Sequence, residues 1–422
     1  MAIDFYYDVV CPYAYLASTQ IEAMARRCGT TVRWRPILLG GLLREVGGPD
    51  DPNTRIGPAK REVMRRDRAG WAAMYGVPLR ETSRHPQRTV EAMRLAIAAP
   101  PGPVRRAVSE ALFRAYWVEG RDVTDRAWLR AVAERHGLEP AVFEAEPARA
   151  GLREATATAA SAGAFGVPSF VAEGRLWWGQ DRMSLLERAL GSEPPRPSGT
   201  SGTSVPGGPG GTGGTSVSGE PVRLTVFHDF ASPFSYLAAT QVERVAGARG
   251  VAVQWAPILL GALFRQLGTP DVPLFEMNPT KRAYVRRDLD DWARHWGVPL
   301  HFPEHFPLRS VLPLRVALVE PRATGPIYRA VWVDGRRVDE AEGLGPVLEA
   351  EGLPARSLLE RAGHTEVKLQ LRANTERARA GGVCGVPSFE VVRGGDSVLL
   401  WGQDRLDPLG AVLDGRWPTT IA

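Results

Sequence analysis

A short apolar run, Ile3 to Tyr7, is followed by a stretch in which Ala17, Ile21, Met24, Ala25 and Cys28 recur at helical spacing. The run suits a buried strand, and the recurrence marks one face of an amphipathic helix. The same succession returns at Leu224 to Phe227, followed by Ala238, Val242, Val245 and Ala246. The pattern predicts strand, helix, strand at residues 3–9, 12–28 and 32–37, and again at 224–230, 233–249 and 251–258. After the first triplet, Trp, Leu, Ala and Val spaced between charges predict helices near 58–75, 89–98, 104–119, 125–136 and 147–162. Strands follow at 169–172 and 175–178, and a last helix at 183–190. A parallel βαβ opening and a closing hairpin around a helical block predict an α/β core with an all-helical insertion.

Each strand-to-helix junction carries the same motif. Asp8-Val9-Val10-Cys11-Pro12-Tyr13-Ala14-Tyr15-Leu16-Ala17 in the first copy matches Asp229-Phe230-Ala231-Ser232-Pro233-Phe234-Ser235-Tyr236-Leu237-Ala238 in the second. Proline suits a first helical turn, so Cys11 and Ser232 fall at the end of a strand and the start of a helix. Unpaired N–H groups and the positive helix end there favour a thiolate or another anion; a plain turn whose Ser or Cys caps the helix is the other reading. The repeat extends much further. Trp34-Arg35-Pro36-Ile37-Leu38-Leu39-Gly40 returns as Trp255-Ala256-Pro257-Ile258-Leu259-Leu260-Gly261, Gly166-Val167-Pro168-Ser169-Phe170 as Gly385-Val386-Pro387-Ser388-Phe389, and Trp178-Gly179-Gln180-Asp181-Arg182 as Trp401-Gly402-Gln403-Asp404-Arg405. A repeat of this period is a whole domain. Residues 1–192 are expected to form one and residues 221–422 the other. Residues 193–220, rich in Gly, Ser, Thr and Pro, are expected to be a linker.

Composition narrows the class. The chain of 422 residues is 44% hydrophobic and 23% charged, as in soluble globular proteins, and has no apolar run suited to a membrane span. Its N-terminus begins directly with the strand pattern and carries no signal-like core, so a cytoplasmic location is expected. Three cysteines, Cys11, Cys28 and Cys384, make neither a disulfide framework nor a metal quartet. The net charge of +5 is mild and dispersed, which speaks against a nucleic-acid partner and suits small anionic ligands.

These motifs, in this order and twice, resemble the DsbA-like thioredoxin superfamily, and within it the 2-hydroxychromene-2-carboxylate isomerases and kappa-class glutathione transferases. The resemblance implies two tandem thioredoxin-like domains, each with an all-helical insertion, that pack as the relatives' homodimers do and use glutathione. It implies a cis proline at Pro168 and Pro387, exposing the backbone of Val167 and Val386 to the cysteinyl part of glutathione. Gln180 and Asp181, with Gln403 and Asp404, fall where relatives hold the γ-glutamyl end; by position the two aspartates also suit N-caps. Asn53 with Lys60, and Asn278 with Lys281, lie near the loop that reaches the peptide's carboxylate.

Ser232 fits the family pattern, in which the hydroxyl donates a hydrogen bond to the glutathione thiolate. Cys11 departs from it, and Ala14 stands where a redox Cys-x-x-Cys motif has its second cysteine. A cysteine there is expected to titrate below its free value of about 8.5 and to react. Cys28 is expected in the core. Cys384 is a buried small hydrophobe or a neighbour of Ser232. The function implied is a glutathione-dependent isomerase: the thiolate adds to a conjugated aromatic acid, the former double bond rotates, and the thiolate leaves. A thiol oxidoreductase or kappa-type transferase acting through Cys11, and a non-catalytic thiol- or protein-binding pair, are the alternatives.

Overall fold

The computed structural model describes residues 1–48, 56–192 and 221–418, so the expected linker and Asn53 lie outside the described residues. The chain divides into two compact units. Unit 1 comprises Met1–Arg55, Arg68–Ser198 and Asn278–Lys281; unit 2 comprises Ile56–Asp67, Gly199–Met277 and Arg282–Ala422. The units thus follow the repeat, apart from two short segments that leave the contiguous ranges expected from sequence.

In unit 1, β1 (Ala2–Tyr7), β2 (Thr31–Pro36), β3 (Ser169–Ala172) and β4 (Arg175–Trp178) form one sheet in the order β2-β1-β3-β4. β1 runs parallel to β2 and antiparallel to β3, with Phe5 opposite Trp34 and Phe170. As an inner strand β1 is covered on both faces, which is why it reads as an unbroken apolar run rather than an alternation. The β3–β4 hairpin turns on Glu173 and Gly174, both at positive φ, the geometry of a tight two-residue turn. Unit 2 repeats the plan with β5 (Val222–His228), β6 (Val253–Pro257), β7 (Ser388–Arg393) and β8 (Asp396–Trp401) in the order β6-β5-β7-β8. The helical block between the strand pairs is present in both copies; in the first it includes Val90–Ala98, Pro103–Trp117, Arg126–Arg135 and Glu146–Ser161. No described helix is long and apolar enough to cross a membrane.

Two local readings change. The expected helix over 12–28 is two helices, Pro12–Ser18 and Ile21–Arg27. At the break the Ser18 and Thr19 hydroxyls bond the Tyr15 and Leu16 carbonyls, and the Gln20 N–H reaches back three residues to Ala17 instead of four. Thr240 and Gln241 do the same in unit 2. A second difference is the helix Leu39–Glu45 and its counterpart Leu260–Gln266, which follow the expected strands 32–37 and 251–258 and were not predicted. Neither has a local side-chain cap. The Asp8 carboxylate accepts the Leu39 N–H at 2.9 Å and the Asp229 carboxylate the Leu260 N–H at 2.8 Å, so a distant residue satisfies the first turn.

The insertion is tied to the motif loop by buried tryptophans. Trp117 donates its indole N–H to the Val9 carbonyl at 2.8 Å, and Trp332 donates to Phe230 at 2.9 Å. These bonds fix the loop just ahead of Cys11 and Ser232.

Candidate functional site

Cys11 and Ser232 sit at the N-caps of Pro12–Ser18 and Pro233–Ala239, each with extended backbone. The Ser232 oxygen accepts the Ser235 N–H at 3.2 Å, and its hydroxyl donates to the Val386 carbonyl at 3.4 Å. Cys11 faces its own loop with sulfur: its thiol donates to the Val167 carbonyl at 3.2 Å, but its side chain closes no capping bond to the helix. Capping and facing the Gly-Val-Pro loop are one arrangement at Ser232, while Cys11 only faces the loop. The titration expected of Cys11 is reversed. The side chain is buried, and burial pushes the thiol up to about 12, outweighing the helix N–H groups that would lower it. At neutral pH Cys11 is a protonated hydrogen-bond donor, not a thiolate.

The opposite wall is the Gly-Val-Pro loop. Val167–Pro168 and Val386–Pro387 are cis, as expected; His85–Pro86 and Phe306–Pro307, which the sequence did not single out, are cis as well. A Cβ on Gly166 would lie 2.8 Å from the Trp178 indole nitrogen, and one on Gly385 2.7 Å from that of Trp401, so glycine is needed for the loop to pass its tryptophan. The Gly179 and Gly402 N–H groups bond the Pro168 and Pro387 carbonyls at 2.9 and 3.0 Å, joining the Trp-Gly-Gln-Asp-Arg turn to the loop. Among the described residues neither the Val167 nor the Val386 N–H meets an acceptor.

Gln180 and Gln403 are 2% exposed, and among the described residues their amide nitrogens have no hydrogen-bond partner. Asp181 pairs with Arg182 and Asp404 with Arg405, each at 3.0 Å. The N-cap reading of these aspartates does not hold: Gly179 and Gly402 cap the short 3-10 turns, and Arg182 and Arg405 cap the helices that follow. Within unit 2, Arg405 also forms a buried two-pronged pair with Asp67 at 2.6 and 3.1 Å.

Lys60 belongs to unit 2, where its ammonium lies 5.0 Å from the centre of the Trp401 ring. Burial lowers its pKa, against the opposing influence of nearby Cys384. Lys281 belongs to unit 1, 5.2 Å from the Trp178 ring. Each lysine is therefore grouped with the Trp-Gly-Gln-Asp-Arg turn of the other sequence repeat. Asn278 accepts the Lys281 N–H at 2.8 Å and so caps its helix; its side-chain oxygen is engaged rather than offered to a ligand. Cys384 is buried and its thiol is pushed up to about 11 by burial. Cys28 is not in the core: it ends the helix Ile21–Arg27 half-buried, with its sulfur 4.0 Å from the Glu187 carbonyl.

Sequence reasoning passed over Asp8 and Asp229. Their buried carboxylates each gather two backbone N–H groups: Val10 and Leu39 for Asp8, Ala231 and Leu260 for Asp229. Thr89 adds its hydroxyl to Asp8, and Ser310 adds its own to Asp229. Burial raises the pKa of both acids. The signal was present, since an Asp opens both copies of the motif.

The sequence profile of the DSBA-like thioredoxin domain family matches residues 2–191 and again residues 223–414. The chain belongs to that family, twice over. It is 32% identical over 192 residues to a 2-hydroxychromene-2-carboxylate isomerase of Sphingobium xenophagum, covering 44% of this chain and 97% of that one. It is 27% identical over 213 residues to the human glutathione S-transferase kappa 1, covering 47% of this chain and 93% of the transferase. Among solved structures, a 2-hydroxychromene-2-carboxylate isomerase aligns at 27% identity and a TM-score of 0.42, over 45% of this chain and 95% of its own. Each of these two sequence relatives thus spans about half of this DSBA-like chain.

Proposed function

We propose that this protein is a glutathione-dependent isomerase of the 2-hydroxychromene-2-carboxylate type, acting on a conjugated aromatic acid. The observation that carries the reading is the pairing of a capping hydroxyl, Ser232, with a Gly-Val-Pro backbone whose Val386 N–H meets no acceptor among the described residues. Together they form a ready partner for a peptide carrying a thiol. Glutathione, when bound, supplies the nucleophilic sulfur. Val386 would pair with its cysteinyl backbone, and the unpartnered Gln403 amide and Asp404 would meet its polar end. Lys60, beside Trp401, would face its carboxylate. Ser232 would turn its hydrogen from the Val386 carbonyl to the sulfur and stabilise the anion there. Val167, Pro168, Gln180, Asp181 and Lys281 make the equivalent set around Cys11, whose thiol is the weaker donor. The oxidoreductase reading is disfavoured because Cys11 is held protonated and Ala14 offers no second thiol.

Equilibrium dialysis with reduced glutathione is expected to show reversible binding, and mass spectrometry after exposure to oxidised glutathione is expected to find Cys11 largely unmodified at neutral pH. Absence of binding would overturn the function. Rapid adduct formation at Cys11 would favour the oxidoreductase.

The same reading extends to the assembly. Residues 1–192 and 221–422 are the two domains, 193–220 the linker, and the domains pack as a covalent pseudo-dimer in the cytoplasm. Small-angle scattering is expected to give one compact particle; a profile of two independently moving bodies would contradict the packing.

A further inference from the structure

The segment Ile56–Asp67 belongs to unit 2 and carries the first turns of the helix Pro58–Tyr75. Lys60, Val63 and Asp67 recur there at helical spacing and share one face. That face meets the Trp-Gly-Gln-Asp-Arg turn of unit 2 at two points, Lys60 over the Trp401 ring and Asp67 on Arg405. The segment's other acid, Glu62, lies partly exposed and is taken up by Arg65 and Arg66 at 2.9 and 2.7 Å.

Asp67 is buried and takes two of the three Arg405 guanidinium nitrogens, Nε at 2.6 Å and Nη2 at 3.1 Å. The third, Nη1, reaches Asp404 at 3.0 Å. One guanidinium is thus divided between two carboxylates, with its two-pronged edge on Asp67 and a single contact on Asp404. Side-chain exposures are 8% for Asp67, 11% for Arg405 and 13% for Asp404, so water screens these charges little. The Asp404 carboxylate lies back over Gly402, where a Cβ would collide with its Oδ1, and the Gly402 N–H bonds the Pro387 carbonyl at 3.0 Å. The acid is therefore held beside the loop that presents Val386.

We propose that Asp67 is a positioning residue for the γ-glutamyl end of glutathione. It holds the fork of Arg405, limits that cation to one contact on Asp404, and so lets the Asp404 carboxylate accept the ligand's ammonium. The inference rests on the glutathione-dependent reading above. A guanidinium that meets a carboxylate edge-on forms two parallel bonds, the strong form of the pair. Without the Asp67 charge, the attraction of Arg405 falls on Asp404, and an acid neutralised in this way is a poor partner for an ammonium. Asp67 comes from the first sequence repeat, and Asp404 and Arg405 come from the second.

The test compares glutathione with glutaryl-cysteinyl-glycine, the same peptide without its amino group, in turnover of 2-hydroxychromene-2-carboxylate by the full chain. In the wild type the KM for the analogue is expected to exceed that for glutathione by about tenfold, the size of one hydrogen bond between charged groups. Asp67→Asn should raise the KM for glutathione about tenfold, with kcat and the KM for the analogue each moving less than about twofold. Adding Arg405→Gln removes the cation as well, and the KM for glutathione should fall back toward the wild-type value. Should Asp67→Asn fail to fold, Arg405→Gln with and without Asp67→Asn carries the test. The two are expected to share one KM for glutathione, because Asp67 acts only through Arg405; different values would overturn the proposal. Equal rises for both peptides in Asp67→Asn, or no rise for either, would also overturn it. A wild type that treats the two peptides alike removes Asp404 from the γ-glutamyl end, and this inference with it. No turnover with either peptide overturns the proposed function itself.

Discussion

Ser232→Ala is expected to lower turnover by about 10²–10³-fold, the loss typical of removing one donor aimed at a developing anion. The hydroxyl is held at both ends in the resting protein, by the Ser235 N–H and the Val386 carbonyl. Bringing sulfur beside it exchanges a 3.4 Å bond to a neutral carbonyl for a bond to an anion, and charge-assisted bonds are about twice as strong as neutral ones. The KM for glutathione should change far less, because the backbone of Val386 and the side chains around it remain. Cys11→Ala is expected to cost much less turnover, since its thiol is a weak donor. Steady-state kinetics of the two variants settle this. Loss of activity in Cys11→Ala with Ser232→Ala intact would move the chemistry to the first copy.

Acid should destabilise the second copy through His228. Its imidazole is wholly buried and its pKa is pushed down to about 3 by burial, from an ordinary value of 6.5. A group held neutral in the fold but protonated in the unfolded chain contributes stability that is present above 6.5 and lost as pH falls toward 3. The loss approaches about 1.4 kcal/mol per pH unit, a large fraction of the stability of a typical domain. Asp229 acts in the opposite sense: its raised pKa gives a contribution present below its unfolded value and lost as pH rises. Comparison of the wild type with His228→Phe isolates the imidazole. Denaturant unfolding between pH 6.5 and pH 4 should show the variant losing less stability per pH unit, even if it begins lower. Parallel slopes would mean that His228 is not the group that titrates.

Much of the architecture was written in local pattern. The buried strands, the two copies of the motif and the two Gly-Val-Pro loops are short-range signals, and the loops do face Cys11 and Ser232. What local pattern did not carry was set by tertiary context. The helix at Leu39–Glu45 is capped by Asp8, distant in sequence, so no local cap marked it. The reactivity expected of Cys11 follows from a helix N-terminus in water; in the fold, removal of that water outweighs the helix. Lys60 and Lys281 read as members of their own repeats, whereas the compact units group each with the other repeat's tryptophan. The His228–Tyr328 pair joins residues a hundred positions apart, and neither belongs to a recurring motif.

The most direct measurement is a crystal structure of the full chain soaked with reduced glutathione. The account predicts the sulfur within hydrogen-bond distance of the Ser232 hydroxyl and the cysteinyl backbone paired with Val386. Density for the peptide remote from Val386, or a sulfur covalently joined to Cys11, would contradict it.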